Sequence, residues 1–152
     1  MPQPLSVEIT RLDPAKTADV PLPTAMSEGA AGMDVYAAVE GELIVLAGAT
    51  VAVPTGFAIA VPRGYEAQVR PRSGLALKHS IGLMNSPGTI DSDYRGEVRI
   101  LLTNYGTQPF TIRRGDRIAQ MVVAPVFAVA WKEVDQLSDT DRGAGGFGHT
   151  GI

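Results

Sequence analysis

The chain has 152 residues, 45% of them hydrophobic, no cysteine and a formal net charge of −3. That length makes one ordinary domain with enough apolar mass for its own core. Without cysteine, disulfides and thiolate metal sites are excluded, and the acidic balance argues against duplex DNA or RNA as a partner.

No apolar run approaches the ~20 residues that a bilayer span requires. The opening Met1-Pro2-Gln3-Pro4-Leu5 lacks the charged start and apolar stretch of a signal peptide. The expectation is a soluble, cytoplasmic protein with no membrane partner. With 17 glycines and 11 prolines, the chain is heavily punctuated by turns. Between them lie short runs rich in β-branched residues, at 5–9, 42–47, 50–53, 56–61, 65–70, 97–104, 109–112, 116–123 and 126–133. Many short strands at such spacing predict an all-β barrel or double sheet. Ser73–His79 is the exception: its residues form helix adequately and Ser73 can cap it. No linker divides the chain.

From residue 138 onward the composition changes. Five glycines fall between Gly143 and Gly151, with one aromatic and almost no aliphatic side chain. Such a segment buries too little surface to offset its ordering entropy and is expected to be a mobile tail. Arg142, Phe147, His149 and Thr150 among those glycines suit phosphates and a base as well as they suit a plain disordered end.

Four further segments hold side chains with chemical potential. Ala31-Gly32-Met33-Asp34 sets one carboxylate in a small apolar context, either a turn aspartate or a contact to magnesium-bound water. Arg70-Pro71-Arg72-Ser73-Gly74 combines guanidinium, hydroxyl and free amides at a helix start, fitting an N-cap or an anion site. Residues 88–96, Gly-Thr-Ile-Asp-Ser-Asp-Tyr-Arg-Gly, suggest a hairpin; Asp91 and Asp93, two apart, share a face if extended. With Tyr94 and Arg95 they offer a base, a stacking surface and a cation, or simply a polar turn. Arg114-Gly115-Asp116-Arg117-Ile118-Ala119-Gln120 reads as a turn then a strand, with Gln120 a satisfied core amide or a ligand contact. His79 and His149 lack ligand-spaced partners, which argues against zinc, and Trp131 is expected in the core or an interface.

Taken in order, these segments resemble the five motifs of the homotrimeric dUTP diphosphatase family: 31–34, 71–76, 88–96, 114–120 and 142–151. The resemblance runs from about Ala30 to the C-terminus. It implies a jelly-roll-like, distorted β-barrel over 1–137 with one short helix, and a flexible glycine-rich arm over 138–152 that completes a neighbour's site in a homotrimer. It implies hydrolysis of dUTP to dUMP and pyrophosphate with Mg2+, which keeps uracil out of DNA and supplies dUMP for dTMP synthesis. Asp91 would be the general base. Asn85, the backbone of Thr89, Ile90 and Asp91, and the backbone at Arg99 would read uracil, with Tyr94 against the deoxyribose. Arg72, Ser73, Gly74 and Gln120 would bind phosphates, Gln120 also holding the water. Asp34 would meet the magnesium through water, with the metal held mainly by substrate phosphates. Phe147 would stack on the base, and Arg142 with the amides of Gly146 and Gly148 would clamp the γ-phosphate. A dCTP deaminase of related fold would lack the 91–94 arrangement and the phenylalanine-bearing tail; a non-catalytic binding module would be expected to lose the tail or Asp91.

Overall fold

A computed structural model describes residues 4–151; positions 1–3 and 152, the outer ends of the expected domain and arm, lie outside it. In chain order the elements are β1 (Glu8–Arg11), α1 (Pro14–Thr17), β2 (Met33–Tyr36), β3 (Glu42–Val45), β4 (Thr50–Pro54), β5 (Phe57–Ala60), β6 (Tyr65–Arg70), α2 (Ser73–His79), β7 (Ile81–Leu83), β8 (Gly88–Ile90), β9 (Arg99–Asn104), β10 (Phe110–Arg113) and β11 (Arg117–Pro125). This is the all-β architecture with one short helix that the sequence predicts, plus the single turn α1, where Pro14 occupies the first helical turn and needs no N–H partner. The strands divide among a four-stranded sheet (β2-β11-β6-β8), a three-stranded sheet (β4-β9-β7) and the pairs β1-β5 and β10-β3, all antiparallel. They do not join into one closed ring among the described residues.

β11 organises the larger sheet. It pairs with β2 on one side and β6 on the other, and its register shifts between Arg117 and Ala119. That irregularity lets the consecutive Ile118 and Ala119 both be buried, where strict alternation would expose one of them. Together with Val35, Val53, Phe57, Ile100, Leu102 and Ile112 they lie in a single apolar cluster between the sheets. Among the described residues no helix is long and apolar enough to cross a membrane.

Several expectations are corrected. The run at 126–133 forms no strand: Phe127, Val129 and Trp131 are 87%, 68% and 94% exposed. Trp131 is therefore outside this chain's core. The pattern is apolar enough for a strand, but among the described residues no strand pairs with it. Residues 88–96 form no hairpin, because β8 pairs back to β6 and β9 belongs to the other sheet. Ser73 does not cap α2: Arg72, with extended backbone, occupies that position, and no side-chain cap bond forms. The first strand begins at Glu8 rather than at residue 5.

Candidate active site

Two constellations emerge from the segments marked above, on different parts of the chain. The first is a cavity of about 280 Å3 at the mouth between the two large sheets. Its floor is apolar, from Val69, Leu83, Val98 and Ile100, and its rim carries Asn85, Thr89, Asp91, Tyr94, Glu97 and Arg99. Ile90 lines it as well, so six of the residues assigned to base, sugar and water from sequence converge here. The ladder explains why. β8 lies at the end of its sheet with β6 as its only strand partner among the described residues, so part of its backbone N–H and C=O groups face away from β6. A free strand edge beside an apolar floor can hold a flat heterocycle and hydrogen-bond its rim. Asn85 arrives on the turn between β7 and β8, which contains a cis bond between Ser86 and Pro87.

Asp91 follows the last residue of β8 and is exposed; among the described residues its carboxylate has neither a hydrogen-bonding nor an ion-pairing partner. Asp93 does not share its face. The strand ends at Ile90, the chain turns, and Asp93 with Ser92 and Arg95 lines a separate polar cleft with Ser6, Glu8 and Arg63. Arg95 turns inward to its own loop, donating from Nη1 to the carbonyls of Ser92 (2.7 Å) and Tyr94 (2.9 Å). It therefore stiffens the segment rather than offering its charge to the cavity.

The second constellation lies where β2, β11 and the start of α2 meet. Asp34, on β2, is 13% exposed at its side chain and is approached by two guanidiniums: Arg72 Nε at 3.3 Å and Arg117 Nη1 at 3.1 Å. Arg72 also donates from Nη1 to the Arg117 carbonyl at 3.1 Å. Gln120 donates from Nε2 to the carbonyl of Pro71 at 3.0 Å, and this bond fixes which face of its amide remains. Its Oε1 lies where a Cβ on Gly32 would sit, 2.5 Å away, so only glycine leaves the amide that space. Ser73 and Gly74 begin α2 beside this group, both exposed. Two guanidiniums and exposed helix-start amides suit a polyanion. None of Asp34, Arg72, Ser73, Gly74 or Gln120 lines the cavity under β8.

No group of three acidic or histidine side chains gathers as a metal cage among the described residues, and Asp34 shares both its oxygens with arginines. This donor set fits a magnesium ion that arrives on phosphates and keeps its waters, with Asp34 reached through one of them.

The tail stands apart from both groups. Its backbone hydrogen bonds run within itself, for example Gly145 N to Arg142 O and His149 N to Gly146 O. Arg142 donates from Nε to the Gly145 carbonyl at 2.8 Å, and Phe147, at φ 48°, is fully exposed. Gly148 has a φ of 79°, and Gly146 leaves open space where a side chain would be. Two residues that the sequence reading left without a role, Arg117 and Glu97, belong to the constellations. Arg117 could have been found from its place three residues before Gln120 on one strand; nothing local marks Glu97, which lines the cavity through tertiary contact.

The sequence model of the dUTPase family matches residues 18–151. A deoxyuridine 5'-triphosphate nucleotidohydrolase of Desulfotalea psychrophila is 55% identical over 146 residues, covering 96% of this chain and 97% of its own. Among solved structures, a mutant dUTPase of Staphylococcus bacteriophage 80alpha with dUpNHpp superposes with a TM-score of 0.86 at 22% identity, over 97% of this chain and 99% of that one. A mutant dUTPase from phage phi11 of S. aureus, described for the coordination of a structural Mg(II) ion, superposes at 0.78 with 19% identity, over 89% and 100%. The strand arrangement is thus shared with those structures, the sequence match spans nearly the whole chain and all five motif segments, and the chain belongs to the dUTPase family.

Proposed function

We propose that this protein is a dUTP diphosphatase that directs water at the α-phosphorus of dUTP and releases dUMP and pyrophosphate. The carrying observation is the cavity under the free edge of β8, with a carboxylate at its mouth and a tyrosine on its rim. Its apolar floor accepts a pyrimidine, and selection against thymine would come from steric rejection of the 5-methyl. Asn85 and the backbone from Thr89 to Asp91, with that of Arg99, offer donors and acceptors to uracil; Tyr94 packs on the deoxyribose. Asp91 is free to take a proton from water. The water oxygen bonds to the α-phosphorus, the bond to the bridging oxygen breaks, and its electrons leave on pyrophosphate. Arg72, Ser73, Gly74 and Gln120 hold the phosphates, and Gln120 also holds the water through the amide face left open by Pro71. Asp34, held by Arg72 and Arg117, would meet the waters of a magnesium ion bound with the triphosphate, and that ion would supply positive charge against the leaving group.

The site works in a homotrimer. In one chain the phosphate group and the base cavity share no lining residue, which suits a site assembled across subunits. The exposed segment from 126 to 137, with Phe127, Val129 and Trp131 in water, supports the same reading: its twelve residues span up to about 40 Å if extended, far enough to carry Arg142, Gly146, Phe147 and Gly148 to a neighbour. There the tail amides and Arg142 close on the γ-phosphate, and Phe147 stacks on the base. The absence of cysteine suits the reducing cytoplasm as its compartment.

The test is hydrolysis of dUTP with magnesium in 18O-labelled water. Label found only in dUMP is expected. Label in pyrophosphate means attack at the β-phosphorus, and no dUMP at all refutes the activity.

A further inference from the structure

Tyr94, 46% exposed, is anchored by its own loop at its backbone and at its hydroxyl. Its N–H donates to the Asp91 carbonyl at 3.2 Å, and its carbonyl accepts from Arg95. At the far end its hydroxyl donates to the Glu97 carbonyl at 2.9 Å. Glu97 is itself fixed, because its Oε1 accepts from Gly56 N at 3.0 Å in the turn between β4 and β5. Under the ring lies Gly96. A Cβ built there would stand 2.5 Å from the Tyr94 hydroxyl oxygen, 2.7 Å from Cζ and 3.1 Å from Cε2. The tip of the ring therefore packs against the Gly96 backbone, and a side chain there would force the ring to move.

A side chain that merely lines a pocket yields when a slightly larger ligand arrives, because an apolar wall rejects an added hydroxyl only weakly. Rejection becomes strong when the wall cannot retreat. We propose that Gly96 is a specificity-determining position for the sugar: by giving the Tyr94 ring its seat, it makes that ring a rigid wall against a 2′-hydroxyl. The inference rests on the reading of Tyr94 as the sugar contact. Gly96 touches no substrate and acts through Tyr94, so it is a positioning residue. Substitution by alanine lifts the tip of the ring, costs it the bond to the Glu97 carbonyl, and opens space beside the 2′ carbon.

The experiment measures kcat/KM for dUTP and for UTP in the parent, Gly96→Ala, Tyr94→Ala and the double variant, with melting temperatures alongside. Gly96→Ala is expected to shrink the dUTP-to-UTP ratio by about tenfold or more, the scale of a lost steric discrimination, with the UTP value itself rising. A general loss of structure would lower both values and cannot raise one. The double variant is expected to match Tyr94→Ala alone, since the glycine has nothing to act through once the ring is gone. A parent-like ratio in Gly96→Ala overturns the inference if Tyr94→Ala narrows the ratio. A parent-like ratio in Tyr94→Ala instead overturns the reading of Tyr94 on which the inference stands. If Gly96→Ala does not fold, Tyr94→Phe decides: it frees the tip of the ring from Glu97 without adding an atom, and a narrowed ratio supports the rigid seat while an unchanged ratio refutes it.

Discussion

Arg72, ahead of α2, meets Asp34 on β2 with Nε 3.3 Å from Oδ1, a contact between residues 38 apart in the chain. Arg117 approaches the other carboxylate oxygen, so Asp34 aims two guanidiniums at once. Asp34→Asn keeps the shape and removes the charge. Both partners of the Arg72 pair are partly exposed, so the stability loss is expected to be about 1 kcal/mol or less. Misaimed guanidiniums cost more in function: kcat/KM for dUTP is expected to fall roughly ten- to a hundredfold. Thermal melts beside steady-state kinetics check this, and a large melting shift with normal kinetics would reverse the interpretation.

Asp91 has no protein partner for its carboxylate among the described residues, so Asp91→Asn is expected to melt as the parent does. Its turnover is expected to fall by ~10²–10⁴-fold, the range for a lost general base. The same variant tests the shared site. Co-refolded in equal amounts with a chain that stops before Arg142, it is expected to recover roughly a quarter of the parent's active sites, as random assembly of a cyclic trimer requires. A mixture that stays inactive, with mixed trimers confirmed by native mass spectrometry, means that one chain supplies both elements.

Phe147 touches nothing that a core would miss, being fully exposed. Phe147→Ala is therefore expected to leave the melting temperature unchanged and to weaken binding of a non-hydrolysable dUTP analogue by about 1–3 kcal/mol, the scale of one base–aromatic stack. Calorimetry gives the affinity. Amide exchange over 142–151 is expected to slow when the analogue and magnesium are added, and equal exchange with and without them would remove the tail from the site.

Away from the site, Arg114 clamps the segment after α1: its guanidinium is 2.8 Å and 2.7 Å from the two Asp19 oxygens and also donates to the Val39 and Lys16 carbonyls. The hydrogen bond from Arg114, reinforced by its charge, holds the Asp19 carboxyl down to about 2 from an ordinary 3.8. A carboxyl lowered in the folded state stabilises it at pH values above the unfolded pKa, and that contribution fades as pH falls through the folded one. The window is thus between about pH 4 and pH 2. Compared with Asp19→Asn, the parent is expected to lose its advantage in melting temperature over that range, and curves that stay parallel from pH 5 to pH 2 would deny the clamp a role.

Local chemistry explains most of what the sequence disclosed. The predicted run at 65–70 is β6, 50–53 is nearly all of β4, and Ser73–His79 is α2 to the residue. Each has its period or its breaker within a few neighbours. β2 and β7 were missed because they are only four and three residues long and owe their existence to partners distant in the chain, while β8 falls in the hairpin expected over 88–96 but pairs with β6 instead. The run at 126–133 failed the other way: periodicity records a wish to be a strand, and pairing within one chain does not grant it. Among the candidate site residues, Asp91 and Gln120 stand out in the sequence by side-chain chemistry, whereas Asn85 is named only through the family resemblance. Gly96 and Glu97 carry no such mark, because the contact of Gly96 with the tip of Tyr94 and the bond accepted by the Glu97 carbonyl depend on placement that no pattern of types encodes.

Trp131, 94% exposed in the isolated chain, is also the protein's single tryptophan. The protein thus carries one intrinsic fluorophore, on the exposed segment that the proposed trimer would carry to a neighbouring subunit. Indole emission moves to shorter wavelength on leaving water, so dilution or mild denaturant that parts the subunits before the sheets unfold would register as a red shift at constant far-ultraviolet circular dichroism. Assembly can then be followed optically with no label attached.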